Sequence, residues 1–314
     1  MNPGLSWGCE ISPSAVCLAR WGGAPQMESV AVKPLGEGAV EVSPLHENVQ
    51  RPDEVRQALA ACLASQGHTV PLPSGGGRDA ALIVPDQAAR VFFLDFDSLP
   101  QHASEAIPLV RWRLKKSVPF DIEDSTVAYF ARRREAQWAV VAVVSPHAIV
   151  RQYESLAESA GLKPRLLTLS TLATLGLLPA PAGDAGPGNP SALVAKYSPP
   201  WFTTAIVHDY SLCLFRAVAI GGVTGEVSMT ELREAIYPAV AYFQDNFGGA
   251  LEKAYLCGLG ESTAAIAESL AQELHLTAAP LLPESALPLS GWDGLQPDRN
   301  LAAVAGLFRQ RRRE

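Results

Sequence analysis

The residues best placed for chemistry lie near the start of the chain, where two short apolar runs flank a small polar turn. Residues 7–21 contain Glu10 at the end of the first run, and the turn is Ser12-Pro13-Ser14. This pattern predicts a β-hairpin. A carboxylate at a strand end can order water or Mg²⁺, while N–H groups of the following turn face a phosphate. Glu10, Ser12 and Ser14 are therefore candidate nucleotide-binding residues.

A second stretch repeats this arrangement in the other half of the chain. An apolar run at 191–197 leads through Ser198-Pro199-Pro200 into another apolar run at 201–207. Two such hairpins predict a duplicated α/β fold with a cleft between its halves.

The turns of both hairpins are poor in phosphate-binding groups. Pro13 lacks an amide donor where one is needed, and neither turn has a glycine that lets a phosphate approach closely. In the second hairpin, Ala195 and Lys196 stand at the acid position, and Pro199 and Pro200 form the turn. We therefore expect the scaffold to be present and its phosphate chemistry to be largely absent.

Composition limits the other possibilities. The chain has 314 residues, of which 48% are hydrophobic, and its net charge of −7 argues against nucleic acid as the main partner. The five cysteines are scattered without a Cys-x-x-Cys pair, which predicts free thiols in a reducing compartment and no zinc site. The six histidines show no mutual spacing that suggests a metal site. We find neither a signal-peptide pattern nor an apolar run of about 20 residues, so we expect a cytoplasmic protein.

The two halves share an order of predicted elements. Each has a hairpin, a third strand (26–34 and 211–220), a helix (51–65 and 228–246) and a buried strand (80–84 and 253–257). Ser228 and Glu231 form a predicted capping box at the second of these helices. The Pro-, Gly- and Ala-rich segment 179–190 is the predicted linker.

A block between the halves carries a family resemblance. Residues 105–123 combine a helix with Val118-Pro119-Phe120-Asp121, and they are followed by an apolar strand at 139–144 and by Gly161-Leu162-Lys163-Pro164. The run Tyr255-Leu256-Cys257-Gly258-Leu259-Gly260 comes later. In this order, over almost the whole chain, the segments resemble the PilM family of type IV pilus assembly proteins, which is similar to the cell-division protein FtsA.

The resemblance implies an α/β fold of the actin-like (ribonuclease H-like) type, duplicated and bilobed, with a small inserted α+β subdomain. The first lobe would comprise residues 1–88 and 163–180, the FtsA 1C-like insert 89–162, and the second lobe 181–314. The implied role is a cytoplasmic scaffold of the type IV pilus inner-membrane platform. It would bind the N-terminal tail of a PilN-like membrane protein and approach the membrane only through that partner.

The family pattern also implies which residues would face a nucleotide if one binds: Glu10, Ser12, Ser14, Gly221, Gly222, Gly258 and Gly260. The Asp-x-Gly expected in each hairpin is missing, because Glu10, Ser12 and Pro13 replace the first, and Ala195, Lys196 and Tyr197 the second. We therefore expect ATP hydrolysis to be very slow or absent, no catalytic residue, and no required cofactor, although ATP and Mg²⁺ remain possible ligands.

Two alternatives remain open at this point. The first is a working actin-like ATPase in which Glu10 orients the attacking water. The second is the related cytoplasmic module of a type II secretion system, which is fused to a membrane span and a periplasmic domain. The chain ends at Glu314 with neither, and this favours the pilus assignment.

Overall fold

The computed structural model describes residues 5–22, 27–68, 78–179, 191–221, 227–249, 251, 253–282, 299 and 301–310. The strands are β1 (Trp7–Ile11), β2 (Ala15–Arg20), β3 (Ser29–Pro34), β4 (Arg78–Val84), β5 (Arg90–Phe96), β6 (Ser125–Arg134), β7 (Gln137–Pro146), β8 (Leu162–Leu169), β9 (Ser191–Ser198), β10 (Trp201–His208), β11 (Ser211–Ala219), β12 (Lys253–Cys257) and β13 (Thr277–Pro280). The helices are α1 (Pro52–Ser65), α2 (Ala103–Leu114), α3 (His147–Ser159), α4 (Ser170–Thr174), α5 (Met229–Phe247), α6 (Thr263–Leu274) and α7 (Ala302–Gln310).

Two five-stranded sheets have the same strand order, which confirms the predicted duplication. The first is β3-β2-β1-β4-β8 and the second is β11-β10-β9-β12-β13. In each, an antiparallel hairpin (β1–β2 or β9–β10) carries the third strand on its outer side and pairs in parallel with the strand that follows a helix. Both predicted hairpins are therefore present, and their turns lie at corresponding ends of the central strands.

Side-chain alternation divides the first sheet between two cores. Trp7, Cys9 and Ile11 of β1 pack with buried residues of α1 and α3 on one face. In β2 and β4, the residues between those that enter this core, such as Cys17 and Ile83, face the other way. Because successive side chains in a strand point to opposite faces, this parity fixes which residues of β1 can reach the second sheet.

The second sheet is divided in the same way. Leu193, Ala195 and Tyr197 of β9 pack against α5 and α6. Val194 belongs to the cluster that contains Cys17 and Ile83, together with the buried helix α7. This shared cluster joins the two sheets, so the residues of β9 with the parity of Val194 face the first sheet.

The three-stranded sheet β5-β7-β6 forms a smaller unit between β4 and β8 in the chain. One face is covered by α2 through Val110 and Leu114. Helix α3 falls within the predicted insert 89–162, yet its Ile149, Tyr153 and Leu156 pack into the core of the first sheet. The insert boundaries themselves stay a prediction.

Most predicted elements are confirmed within a few residues, including the capping box at α5, where Ser228 and Glu231 hydrogen-bond reciprocally. Strand β13 was not predicted. The linker is described only at residue 179, and Gly222 lies outside the described residues. Within the described ranges, we find no helix that combines the length and apolar character needed to cross a bilayer.

Helix α7 approaches α4 closely at Gly306. A Cβ added there would lie 2.3 Å from the carbonyl oxygen of Ala173, so we expect Gly306→Ala to lower the free energy of unfolding by about 1–3 kcal/mol despite the better helix propensity of alanine. Urea denaturation measures this change. Gly249→Ala is the matched control, since its Cβ would meet no heavy atom within 4 Å. Equal stability of the two variants would contradict the close packing.

Candidate functional site

The candidate site is where the two central strands face each other. Glu10 lies between Cys9 and Ile11, whose side chains enter the first core, so the Glu10 carboxylate points to the opposite face. Lys196 lies between Ala195 and Tyr197, which pack on the α5 side, so its side chain points to the first sheet. The same alternation that builds both cores therefore brings an acid and a base together.

The Lys196 ammonium ends in a set of oxygen atoms supplied by the first sheet and by α4. Its Nζ donates to Ser170 Oγ and, at 3.1 Å, to Thr174 Oγ1, and lies 3.9 Å from Glu10 Oε1. Ser170 Oγ in turn donates to Glu10 Oε1, and Thr174 Oγ1 donates to the Ser170 carbonyl at 2.8 Å. Each hydroxyl accepts from the ammonium and donates onward, so the hydrogen-bond directions are mutually consistent.

Burial makes this pairing obligatory. Lys196 is only 2% exposed and Glu10 only 6% exposed. An ionised group that is removed from water is costly unless it is paired and hydrogen-bonded. The ammonium and its oxygen partners therefore stabilise one another, and neither is easily removed alone.

A second carboxylate, Asp86, links the same two sheets. It follows β4, and its Oδ1 accepts from the Thr171 N–H at 2.8 Å, while its Oδ2 accepts from Thr171 Oγ1 at 2.5 Å. Thr203 Oγ1, from β10 of the second sheet, donates to the same Oδ2 at 2.8 Å. Thr203 pairs with Lys196 across the β9–β10 hairpin, so both cross-sheet contacts come from one face of that hairpin.

The environment of Glu10 opposes its ionisation on balance. Burial raises the pKa of the Glu10 carboxyl, and the neighbouring Asp86 acts in the same direction. The Lys196 ammonium and the Ser170 hydrogen bond lower that pKa but do not fully offset burial. The carboxylate form of Glu10 thus depends on the ammonium beside it.

The turns of the two hairpins leave little room between them. Ser12, Ser14, Ser198 and Arg299 line a cavity of about 20 Å³ next to Glu10, which is space for about one water molecule. Ser12 is also engaged within its own turn, because its Oγ donates to the Ala15 carbonyl at 2.9 Å and accepts from the Ala15 N–H at 3.0 Å. Glu10, Ser12 and Ser14 therefore lie together around a small cavity.

Gly221, Gly258 and Gly260 do not line this cavity, although the Gly258 carbonyl accepts at 3.2 Å from Arg299, which does. Gly221 has a positive φ of 87°, and its N–H donates to Glu231 Oε1 at 3.3 Å. Gly258 has a φ of 79°, and a Cβ there would lie 2.1 Å from the Tyr197 carbonyl oxygen, so it serves a close approach of backbone to backbone. Gly260 begins a short 3₁₀ turn, with open space beside it.

Comparisons with solved structures account for this architecture. A chain of the PilM-PilN type IV pilus biogenesis complex aligns over 98% of this chain and 99% of its own, with a TM-score of 0.75 and 18% identity. A Bacteroides thetaiotaomicron protein described as having an actin-like ATPase fold and unknown function aligns over 98% and 99%, with a TM-score of 0.55 and 10% identity. The chain has the actin-like ATPase fold.

The cytoplasmic domain of Epsl, an inner-membrane component of the Vibrio cholerae type II secretion system, shares this fold with a TM-score of 0.52 and 11% identity. It covers 98% of this chain, which covers 94% of the Epsl domain. No protein-family model and no curated protein sequence matches the chain. The predicted fold class, with two actin-like halves, is thus confirmed by structure at identities where sequence carries little signal.

The residues present do not fit a bound magnesium nucleotide in this actin-like cleft. Both oxygens of Asp86 already accept hydrogen bonds from threonines, and the oxygen set that includes Glu10 already surrounds an ammonium. A divalent cation there would have to displace Lys196 against like charge. The cavity that the hairpin turns line in the described part of the chain is also small.

Sequence reasoning missed Asp86, Ser170, Thr174 and Thr203, and it noted Lys196 only as a missing acid. The sequence contains a sign of unusual burial for two of these residues. Lys196 is a charged residue within an apolar strand, and Asp86 comes two residues after the buried strand β4, which Pro85 ends. Both patterns indicate a buried polar network, but neither identifies the partner.

The Asp86–Thr203 contact yields a matched test. Thr203→Val removes a hydrogen bond to a carboxylate, so we expect the free energy of unfolding to fall by about 1.5–3 kcal/mol. The neighbouring Thr204→Val is the control, because Thr204 is equally buried but donates only to the Arg216 carbonyl at 3.4 Å. Urea denaturation compares them, and equal losses would show that the cross-sheet contact adds no stability of its own.

Proposed function

We propose that this chain is a cytoplasmic, PilM-like scaffold of a type IV pilus assembly platform at the inner membrane, and that it works without nucleotide turnover. Its partner would be the N-terminal tail of a PilN-like membrane protein, so that it meets the membrane only indirectly. Two observations support this proposal: the fold matches a chain of the PilM-PilN complex over nearly its whole length, and Lys196 stands among the acids of the cleft.

The Lys196 network carries the nucleotide-independent part of this proposal. Actin-like ATPases need an oxygen site for a divalent cation, and catalysis of phosphoryl transfer depends on that cation to offset charge. In this chain a fixed ammonium and two occupied carboxylates stand in the cleft, so binding would require their displacement. A scaffold needs the shape of the fold but not this chemistry.

Isothermal titration with Mg-ATP tests this point directly. We expect no heat of binding at micromolar to millimolar nucleotide and no phosphate release above buffer, because the cleft is closed by buried hydrogen bonds. Micromolar binding together with turnover would overturn the scaffold proposal. If turnover were seen and Glu10→Gln abolished it, the alternative of an ATPase that uses Glu10 as its water-orienting base would hold.

The type II secretion module is the second candidate, and the Epsl fold likeness is the observation that favours it. The two candidates predict different partners. Cytoplasmic tails of PilN-like proteins and of type II secretion membrane proteins can be compared as peptides in one binding assay. Tighter binding of the type II secretion tail would assign the protein to a secretion system, and the scaffold role would remain.

A groove beside the three-stranded sheet offers a place for such a tail. It has a volume of about 490 Å³ and lies between β5 with its neighbours on one side and the β10–β11 hairpin with the end of α5 on the other. Phe93 on β5 and Tyr242 on α5 line it, and they are 41% and 39% exposed. Phe93, Val141 and Phe130 are paired in register, so they form one apolar row across the sheet.

The geometry of this groove suits an extended segment that is partly apolar, because charged side chains, among them Arg133, Arg134 and Glu135, line it beside Phe93 and Tyr242. Strand β5 is an edge strand of its sheet in the described part of the chain, so beyond the point where β11 approaches it, its outer backbone groups can pair with an added strand. Alternate side chains of that added strand would then contact the apolar row. We propose that the membrane partner's tail binds here, through apolar side chains on an extended backbone.

Two tyrosines of α5 supply a matched pair for the test. We expect Tyr242→Ala to weaken binding of a fluorescent tail peptide about fivefold or more, because Tyr242 lines the groove. Tyr237→Ala should leave affinity unchanged, since Tyr237 is exposed on the same helix but lies outside the groove. Fluorescence polarisation measures both variants.

Three outcomes of this assay have distinct meanings. Loss of binding in Tyr242→Ala alone supports both the partner and the groove. Binding that is unaffected by either variant would exclude this groove while keeping the partner. No binding to the unmodified protein, with the tail of its own membrane partner, would count against the scaffold role itself.

A further inference from the structure

We propose that Lys196 is a built-in cation, which takes the position that a divalent metal ion would need in this fold and holds the two sheets together without a ligand. The proposal deepens the nucleotide-independent role proposed above. The ammonium occupies a cation site made of oxygen atoms. Because it belongs to a side chain of β9, it is also part of the interface between the sheets.

The atoms around Nζ are those that a hard cation prefers. Ser170 Oγ and Thr174 Oγ1 accept from the ammonium, and Glu10 Oε1 lies 3.9 Å away. Oxygen atoms are the ligands that magnesium and calcium ions take, and a lysine is almost never fully buried unless it is paired. The first sheet and α4 thus supply the ligands, and the second sheet supplies the charge.

The position of the lysine follows from the duplication. Glu10 lies on β1, the central strand of the first sheet, and Lys196 on β9, the central strand of the second. Each lies near the end of its strand, just before the hairpin turn: β1 ends at Ile11 and β9 ends at Ser198. Where two acids at such positions would repel each other and require a metal ion, an acid and a base attract each other directly.

The charge balance of the cluster supports this assignment. Lys196 neutralises Glu10, and Asp86 is satisfied separately by Thr171 and by Thr203 from the second sheet. Opening the cleft would break the Lys196 and Thr203 contacts together: the ammonium would lose Ser170, Thr174 and Glu10, while Asp86 would keep Thr171. We therefore expect a closed state whose stability does not depend on the concentration of any ligand.

The first test removes the built-in cation and offers a free one. In Lys196→Asp, carboxylates face each other in the cleft, so we expect the melting temperature to fall by about 10 °C or more. About 5 mM Mn²⁺, enough to fill a weak oxygen site, should then raise it by at least about 5 °C. Lys253→Asp is the control, because Lys253 is an exposed lysine at the start of β12.

The outcomes separate the proposal from a general metal effect. Stabilisation by Mn²⁺ that is confined to Lys196→Asp supports the cation position. An equal shift in the unmodified protein or in Lys253→Asp would overturn it, as would a folded Lys196→Asp that does not respond to Mn²⁺. Mg²⁺ serves as the second probe and should act in the same direction.

A double-mutant cycle covers the case in which Lys196→Asp does not fold with or without metal. Lys196→Met leaves Glu10 buried without a cation, and Glu10→Gln leaves the ammonium without its carboxylate, so each single variant should unfold at lower urea than the unmodified protein. We expect the double variant to be clearly more stable than the sum of the two losses predicts. Additive losses would show that the two charges do not depend on each other and would overturn the proposal.

These experiments involve neither ATP nor a partner peptide. If both the metal rescue and the double-mutant cycle fail, the built-in cation proposal is rejected and the scaffold role stays open. Failure of tail binding, with the rescue intact, would remove the scaffold role while leaving the cation assignment unchanged.

Discussion

An ammonium group that is almost completely withdrawn from water must be compensated, and this constraint ties the two halves of the molecule together. Lys196 is compensated only by atoms of the opposite half: Ser170, Thr174 and Glu10. The strands that carry these residues must therefore keep their register and separation. Much of the surrounding interface, including the buried helix α7, consists of small and apolar side chains that set distance but not orientation. Directional specificity at the interface comes from the polar network.

One rule of side-chain alternation explains both the cores and this network. Odd-numbered residues of β1 enter the core beneath α1, and Glu10, of the other parity, faces the second sheet. A shift of one residue in either central strand would exchange a core side chain for a charged one. Two independent interactions therefore fix the register of β1 and β9: the apolar cores and the buried ion pair.

This alternation also explains which features could be predicted from the sequence. Both hairpins, the repeated element order and the capped helix α5 follow from local patterns, and the structure confirms them. Strand β13 was missed because Thr277-Ala278-Ala279-Pro280 is short, alanine-rich and without alternation, so it carries no strand signal. The spacing of apolar residues gives α3 one buried face, but a single helix face does not indicate which of two nearby cores it enters.

The site was less predictable than the fold, because its members are distant in the chain. Glu10 and Ser170 are 160 residues apart, and Asp86 and Thr203 are 117 residues apart. Local composition marks Lys196 and Asp86 as unusual, but only the packing of the two sheets shows that they form one network. Glu10, Ser12 and Ser14 line one cavity, and their role in nucleotide binding stays a prediction, whereas Gly221 and Gly258 serve a backbone turn and a close backbone approach.

The likeness to actin-like proteins establishes a shape, and the function depends on what fills the cleft of that shape. The built-in cation proposed for Lys196 would supply a charge that joins the halves without a ligand. A permanently closed body presents one constant outer surface, including the groove beside β5, to whatever binds there. Constancy of this kind suits a protein that holds others in position, and it is a disadvantage in one that must cycle between states.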